Sequence, residues 1–131
     1  MRSRFTVRIS ITTLNGRRRV ESRAIVDTAS TLLVIPPSMA RQLGLTPAEE
    51  GHYRLGGKKL VRLQVADALV EVGGHTTAIR IGISPAVRAP VLGVTVLGML
   101  GLAVDPVRNR LVPTEYLLKS IGSADGAPEC A

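Results

Sequence analysis

Two alternating segments joined by an Asn-Gly pair constrain the fold of this chain more than any other feature. Residues 4–13 alternate between polar and apolar positions, and the apolar side carries Phe5, Val7, Ile9 and Ile11. Such alternation is typical of a half-buried strand. Asn15-Gly16 is a hairpin-turn sequence, and residues 19–27 form a second segment that ends in Ile-Val-Asp. The sequence therefore predicts a β-hairpin that ends at Asp27.

The rest of the chain predicts more strands and little helix. Hydrophobic residues make up 45% of the 131 residues but aromatic residues only 2%, so the core must consist of Val, Ile, Leu and Ala, a composition that favours strands. Short helices are predicted over residues 38–43, closed by Gly44, and over residues 95–102, capped by Thr95. We expect a single all-β domain over residues 1–118 and a loose Gly-, Ser-, Ala- and Pro-rich tail over residues 119–131.

Several classes of function are disfavoured by the composition. The net charge is +7, but the basic residues are scattered and few aromatic side chains could stack on bases, so nucleic-acid binding is only a third alternative. The single cysteine, Cys130, forms no disulfide framework, and His52 and His75 have no metal-ligand spacing. We expect no metal and no organic cofactor.

We expect no targeting segment in this sequence. The first six residues turn polar at once and give no signal-peptide pattern. The longest mostly apolar stretch, residues 91–104, is too short to span a bilayer. We therefore expect a cytoplasmic protein that has no contact with membranes.

Asp27 is the residue that points most directly to chemistry. It ends an apolar strand, where desolvation penalises an ionised carboxylate unless donors or a partner compensate. The alternative is that Asp27 only caps a local turn, which Asp, Ser and Thr commonly do. The motif Asp27-Thr28-Ala29-Ser30 by itself favours this simpler interpretation.

The order of four motifs along the chain is a more specific indication of function than any one of the motifs. After the Asp27 motif come a glycine-tipped hairpin, an apolar-apolar-glycine turn and a closing pair of strands, seen here as Leu55-Gly56-Gly57-Lys58, Val91-Leu92-Gly93 and residues 103–113. This order resembles that of the retropepsin-like aspartic proteases, which are single-domain, homodimeric relatives of pepsin. The resemblance covers roughly residues 4–114. It implies the closed β-barrel of the acid-protease fold.

The resemblance also implies roles for individual residues. Asp27 would be the catalytic aspartate, Thr28 would tie the two catalytic loops together across a dimer, and Ala29 and Ser30 would complete the loop. The tip of the substrate-binding flap would consist of Leu55, Gly56, Gly57 and Lys58. Leu92 and Gly93 would support the catalytic loop.

The function implied is that of a homodimeric aspartic endopeptidase that cleaves extended peptide or protein substrates. Two departures from the family pattern qualify this expectation. The family normally has glycine where this chain has Ala29, which favours an alternative function, a dimeric peptide-binding module of the same fold with weak or no activity. Thr31 and Val94 also stand where some viral relatives carry a charged pair, so a dimer must be held together in another way.

Overall fold

The computed structural model describes residues 4–47, 49–54 and 60–114. The elements within them are β1 (Arg4–Thr12), β2 (Arg19–Asp27), β3 (Leu33–Ile35), α1 (Pro37–Leu43), β4 (Glu49–Arg54), β5 (Leu60–Val72), β6 (His75–Ile83), β7 (Val91–Gly93), α2 (Val94–Met99), β8 (Leu102–Asp105) and β9 (Arg110–Pro113). The predicted tail, residues 119–131, lies outside the described residues, so its boundary with the domain stays a prediction.

Six strands close into a barrel in the order β1-β2-β7-β3-β6-β5. The barrel closes where Ser10, Ile11 and Thr12 of β1 pair with Glu71, Val70 and Leu69 of β5. Strand β4 lies outside the ring and pairs with β5, while β8 and β9 form a separate two-stranded sheet. The prediction of an all-β fold with a closed barrel and two short helices is confirmed.

The first hairpin forms as the alternation predicts, and its turn sets the register of β1 against β2. Gly16 adopts φ +75°, and the backbone N–H of Thr13 donates to the carbonyl of Arg18 at 2.9 Å. Counting outward equally from Asn15 and Gly16 pairs Arg4 with Asp27, and this pairing is present. A short turn thereby determines which residue of β1 faces the carboxylate.

The barrel interior is aliphatic, as the composition predicts. Ile9 and Ile11, two of the predicted inward positions, are each 1% exposed, whereas Phe5 and Val7 are only partly buried. Burying one such side chain contributes about 1.5–3 kcal/mol. Other fully buried residues come from every part of the ring and from α2, including Val26, Ile35, Ile81, Leu92 and Leu97.

Two local predictions need correction. Helix α2 begins at Val94, with Gly93 rather than Thr95 as its N-cap, and it ends at Met99 because Leu100 is its C-cap and Gly101 adopts φ +73°. The sequence also predicts two strands here, one ending and one beginning at residue 65, but residues 60–72 form a single strand of 13 residues, because β5 pairs with β4 through its first half and with β6 through its second. The predicted closure of α1 by Gly44 is confirmed, with φ +68°.

None of the helices in the described part of the chain is long and apolar enough to cross a membrane.

Candidate active site

Asp27 ends β2 and is buried, with only 3% of its surface exposed. The backbone N–H of Ala29 donates to its Oδ1 at 3.0 Å, and the N–H of Ser30 donates to its carbonyl oxygen at 3.0 Å. These bonds form a tight turn in which the backbone supplies a donor to the carboxylate. A buried carboxylate needs such a donor, since burial without one is costly. Asp27 therefore caps its own turn, as the simpler interpretation expects.

A second chain segment packs against this turn. Strand β7 runs parallel to β2 and pairs Gly93 with Asp27. Beyond it, the N–H groups of Val94 and Thr95 donate to the carbonyls of Ser30 and Thr31 at 3.0 and 2.9 Å. The carboxylate-bearing loop is thus clamped by backbone hydrogen bonds from a segment more than 60 residues later in the sequence. Local turn capping does not require such a clamp.

Gly93 permits this clamp because no side chain fits at its position. A Cβ atom built there would lie 2.5 Å from the carbonyl carbon of Thr31 and 2.7 Å from that of Ser30. Its φ of −96° is ordinary, so the requirement for glycine comes from the close approach of two backbones. Leu92, the preceding residue, is fully buried and pairs with Val26 and Leu33, which lie on either side of the loop. The structure therefore brings Leu92 and Gly93 against the loop of Asp27.

Ala29 adopts a backbone conformation that alanine tolerates. In the described part of the chain, Asn109 is the only non-glycine residue with a positive φ. The strain that a left-handed conformation would impose on an alanine is therefore absent at Ala29. The departure from the family's glycine consists of one added methyl group, and Ala29 is itself partly exposed.

The neighbouring loop residues differ in burial. Thr28 and Thr31 are partly buried, whereas Ser30 is only 2% exposed. Each of the three takes part in polar interactions, as Asp27 does. The loop is consequently held by several contacts, which limits how far the carboxylate can move.

The predicted flap tip, Leu55-Gly56-Gly57-Lys58, lies outside the described residues. The strands that lead to it are described: Glu49–Arg54 pairs with Leu60–Val65 in antiparallel register. His52 and His75 are both exposed. Across residues 4–47, 49–54 and 60–114, no group of three or more His, Cys, Asp or Glu side chains could hold a metal ion.

Two other aspartates in the described residues have different surroundings. Asp67 is on the outer face of β5, where its Oδ1 accepts a hydrogen bond from Nε of Arg80 at 3.2 Å. Asp105 caps the turn between β8 and β9. Neither is in the loop of Asp27, so that loop carries one carboxylate per chain in the part that the structure describes.

Sequence reasoning missed the placement of Arg4 and the exposure of Val94 beside this loop. Arg4 is directly opposite Asp27 in the β1–β2 register, and Val94, 49% exposed, directly follows Gly93. The position of Arg4 could have been found by counting from the Asn15-Gly16 turn. The exposure of Val94 had no signal in the sequence, since the apolar residues that surround it in residues 91–104 are mostly buried.

The structure resembles solved retropepsin-like proteins. One is the crystal structure of a retropepsin-like aspartic protease from Rickettsia conorii, with a TM-score of 0.51 and 16% identity over 80% of this chain and 86% of that chain. Another is the retroviral protease-like domain of Ddi1 from Leishmania major, with a TM-score of 0.51 and 15% identity over 82% of this chain and 87% of that chain. At these identities the likeness shows the fold alone.

The sequence itself gives independent information on the family. A comparison with curated proteins gave no match. The sequence model of the aspartyl protease family matches residues 9–104, which is most of the chain and includes Asp27, Gly93 and the two strands that pair them. The chain therefore belongs to the aspartyl protease family, and its barrel is of the retropepsin-like type.

Proposed function

We propose that this protein is an aspartic endopeptidase that acts as a homodimer, with Asp27 of each chain forming a catalytic pair. Its family and fold support a protease-like function. The observation that carries the proposal is the buried Asp27, held by the N–H of Ala29 at 3.0 Å in a loop clamped by Gly93 and Val94. This precise support for a single carboxylate is what a shared dyad would require of each chain.

The chemistry explains the need for a second chain. Peptide hydrolysis by this route needs an ionised carboxylate that accepts a proton from water and a protonated one that donates to the substrate carbonyl. Water adds to the carbonyl carbon, and the C–N bond breaks once the amine nitrogen has received a proton. Two close carboxylates share one proton because both cannot ionise cheaply. A two-fold axis between copies of Asp27 would supply the pair from identical chains.

Substrates would bind as extended strands above Asp27, using main-chain hydrogen bonds that any peptide offers. Thr28, Ala29 and Ser30 would form the floor of this site, and Leu55, Gly56, Gly57 and Lys58 the tip of its substrate-binding flap. Leu92 and Gly93 would keep the floor in position. No metal or cofactor enters the proposed reaction.

A direct test compares the wild type with Asp27→Asn on a diverse mixture of denatured-protein peptides between about pH 3 and 7. New termini are identified by mass spectrometry. We expect cleavage by the wild type, a bell-shaped dependence on pH because one carboxylate must be protonated and one ionised, and little or no cleavage by the variant. Cleavage by a pure Asp27→Asn preparation at a rate comparable with that of the wild type would refute the proposal.

The shared dyad has a test of its own. Adding excess Asp27→Asn protein to a fixed amount of wild type should lower the activity, because mixed dimers contain one aspartate instead of two. Native mass spectrometry verifies that the chains exchange. Undiminished activity in the presence of confirmed mixed dimers would show that one Asp27 suffices, and sedimentation that detects only active monomer would exclude the dyad.

A second candidate function is a dimeric peptide-binding module without turnover, which the methyl group of Ala29 favours. Under that hypothesis the folded wild-type dimer cleaves nothing in the peptide mixture but still binds peptides. Ala29→Gly should then introduce cleavage. If both proteins cleave at similar rates, the methyl group has no bearing on activity and the second candidate is wrong.

A further inference from the structure

Three arginines lie on the outward face of the β1–β2 hairpin, between its middle and its Asp27 end. The register pairs Arg8 with Arg23 and Arg4 with Asp27. Residues directly opposite each other in an antiparallel pair share a face, and so do alternate residues of a strand. Arg4, Arg8 and Arg23 therefore lie on the same face of the hairpin as Asp27, and all three are exposed. We call these three residues the arginine row.

Two arginines on the outward face of this hairpin already lie near carboxylates. Arg19 contacts Glu21 at 3.0 Å and Glu71 at 3.9 Å, and Arg8 reaches Glu21 at 3.8 Å. Arg23 has no ion pair with a carboxylate in the part of the chain that the structure describes. Arg23 therefore offers a guanidinium group that no carboxylate of the described residues occupies.

The direct pairing of Arg8 with Arg23 is unfavourable for the hairpin itself, because like charges opposite each other in a sheet destabilise it. A bound anion would remove this repulsion. Guanidinium groups match carboxylates especially well, because their planar donors form paired hydrogen bonds to the two oxygens. Arg23 precedes Asp27 by four residues, a distance of roughly 13 Å along the strand. A peptide of ordinary length could reach both.

We propose that the arginine row selects acidic peptides as substrates by binding Glu or Asp side chains that flank the cleaved bond. This inference rests on the proposed function, since Asp27 would be the cleaving group. A peptide fits better than a nucleic acid because the row leads to a carboxylate, which would repel a phosphate backbone. The 2% aromatic content also leaves few side chains for base stacking.

The test uses pairs of peptides with the same cleaved core, flanked three to five residues away by Glu in one peptide and by Gln in the other. At pH 5–6 we expect the wild type to show about tenfold higher kcat/KM for the Glu peptide, a preference that salt diminishes. The preference should also shrink at lower pH as Glu side chains become protonated. Arg8→Gln/Arg23→Gln should cleave the two peptides equally well.

Arg19→Gln is the matched control, because it removes the same charge from the same hairpin at the end where Glu21 and Glu71 already neutralise it. It should keep the preference for Glu. Equal cleavage of the two peptides by the wild type would overturn the inference and leave the proposed function intact. An equal loss of preference in Arg19→Gln and in the double variant would overturn it too, since net charge alone would then explain selection.

Cleavage of neither peptide, nor of any peptide in the mixture, would count against the proposed function instead. Fluorescence anisotropy with labelled Glu and Gln peptides then tests the inference by measuring the affinity of each peptide, without any need for cleavage. Tighter binding of the Glu peptide that the double variant loses supports the arginine row. Equal binding of the two peptides, together with Arg23-dependent binding of a single-stranded oligonucleotide, would overturn it in favour of a nucleic-acid surface.

Discussion

Asp27 and Asp105 occupy nearly the same local structure in two different surroundings. Each ends a strand, β2 or β8, and the two residues are 3% and 8% exposed. In each, Oδ1 accepts a hydrogen bond at 3.0 Å from the backbone N–H two residues later, which belongs to Ala29 or Val107. The sequence around each carboxylate therefore produces the same turn.

The surroundings differ in what packs behind the turn. Nη1 of Arg108 and Nε of Arg110 lie 3.5 and 3.8 Å from Oδ2 of Asp105, within one small hairpin. The Asp27 turn is instead clamped by Gly93 and Val94 from a distant segment. Asp105 is thus held within one local hairpin, whereas the turn of Asp27 is held by a distant segment of the barrel. The capping motif alone does not distinguish the two surroundings.

Exchanging each aspartate for asparagine gives the largest expected difference between the two regions. Asp27→Asn should lower kcat/KM by about 10²–10⁴-fold or more, because a general acid-base group is lost while its hydrogen-bonding shape remains. Asp105→Asn should keep wild-type kcat/KM and lower Tm. Both are measured on one peptide substrate and by thermal melting. Comparable losses of activity in the two folded variants would show that Asp27 and Asp105 do not differ in role.

The clamp behind Asp27 is probed by Gly93→Ala. The added Cβ meets backbone atoms of Thr31 and Ser30 at 2.5–2.7 Å, so we expect a loss of about 1–3 kcal/mol in unfolding free energy and a loss of cleavage. Gly98→Ala in α2 is the control. Nothing lies within 4 Å of its Cβ position, so this helical substitution should stabilise by up to about 1 kcal/mol. Chemical denaturation measures both, and a Gly93→Ala protein as stable as the wild type would contradict the clamp.

Two exposed valines test whether only the Asp27 region meets a second chain. Val94 is 49% exposed beside the Asp27 loop, and Val107 is 87% exposed in the Asp105 turn. A two-fold axis beside Asp27 would bury Val94, so Val94→Asp should raise the dimer Kd about tenfold or more. Val107→Asp should leave it unchanged. Sedimentation velocity over a range of concentrations measures the dimer Kd of both variants. Equal effects of the two substitutions would show that the dimer interface does not lie beside Asp27.

The smallest expected effect is the acid sensitivity of the Asp105 turn. Burial raises the pKa of Asp105, but hydrogen bonds from the N–H groups of Arg108 and Val107 and from the Arg108 guanidinium outweigh burial and lower the pKa below its usual value. A lowered pKa in the folded state stabilises the protein above the pKa of the unfolded state, and this stabilisation disappears as pH falls through the folded value.

The Tm advantage of the wild type over Asp105→Asn should therefore be full near neutral pH and shrink progressively under acid conditions. Thermal melts of both proteins across a pH series measure this difference. A Tm advantage that grows as the pH falls would contradict the lowered pKa of Asp105.

Much of the first hairpin could be predicted from the sequence because its information is local. Alternation identified the buried side of β1, and the Asn15-Gly16 turn contained the register that places Arg4 opposite Asp27. Helix α2 was predicted one residue late because Thr95 is the better capping residue by type. Its start is set instead by Gly93, whose backbone continues directly from β7 into the helix.

The sequence by itself determined an aliphatic, all-β chain with a carboxylate at a strand end, since strand periodicity and turn chemistry depend on neighbouring residues. Only the tertiary structure decided that β7 inserts beside β2 and that Gly93 must lack a side chain. These features depend on barrel closure, which brings distant segments within backbone contact. Because the pairing of Asp27 with Gly93 depends on barrel closure, it distinguishes the candidate site from the similar turn at Asp105.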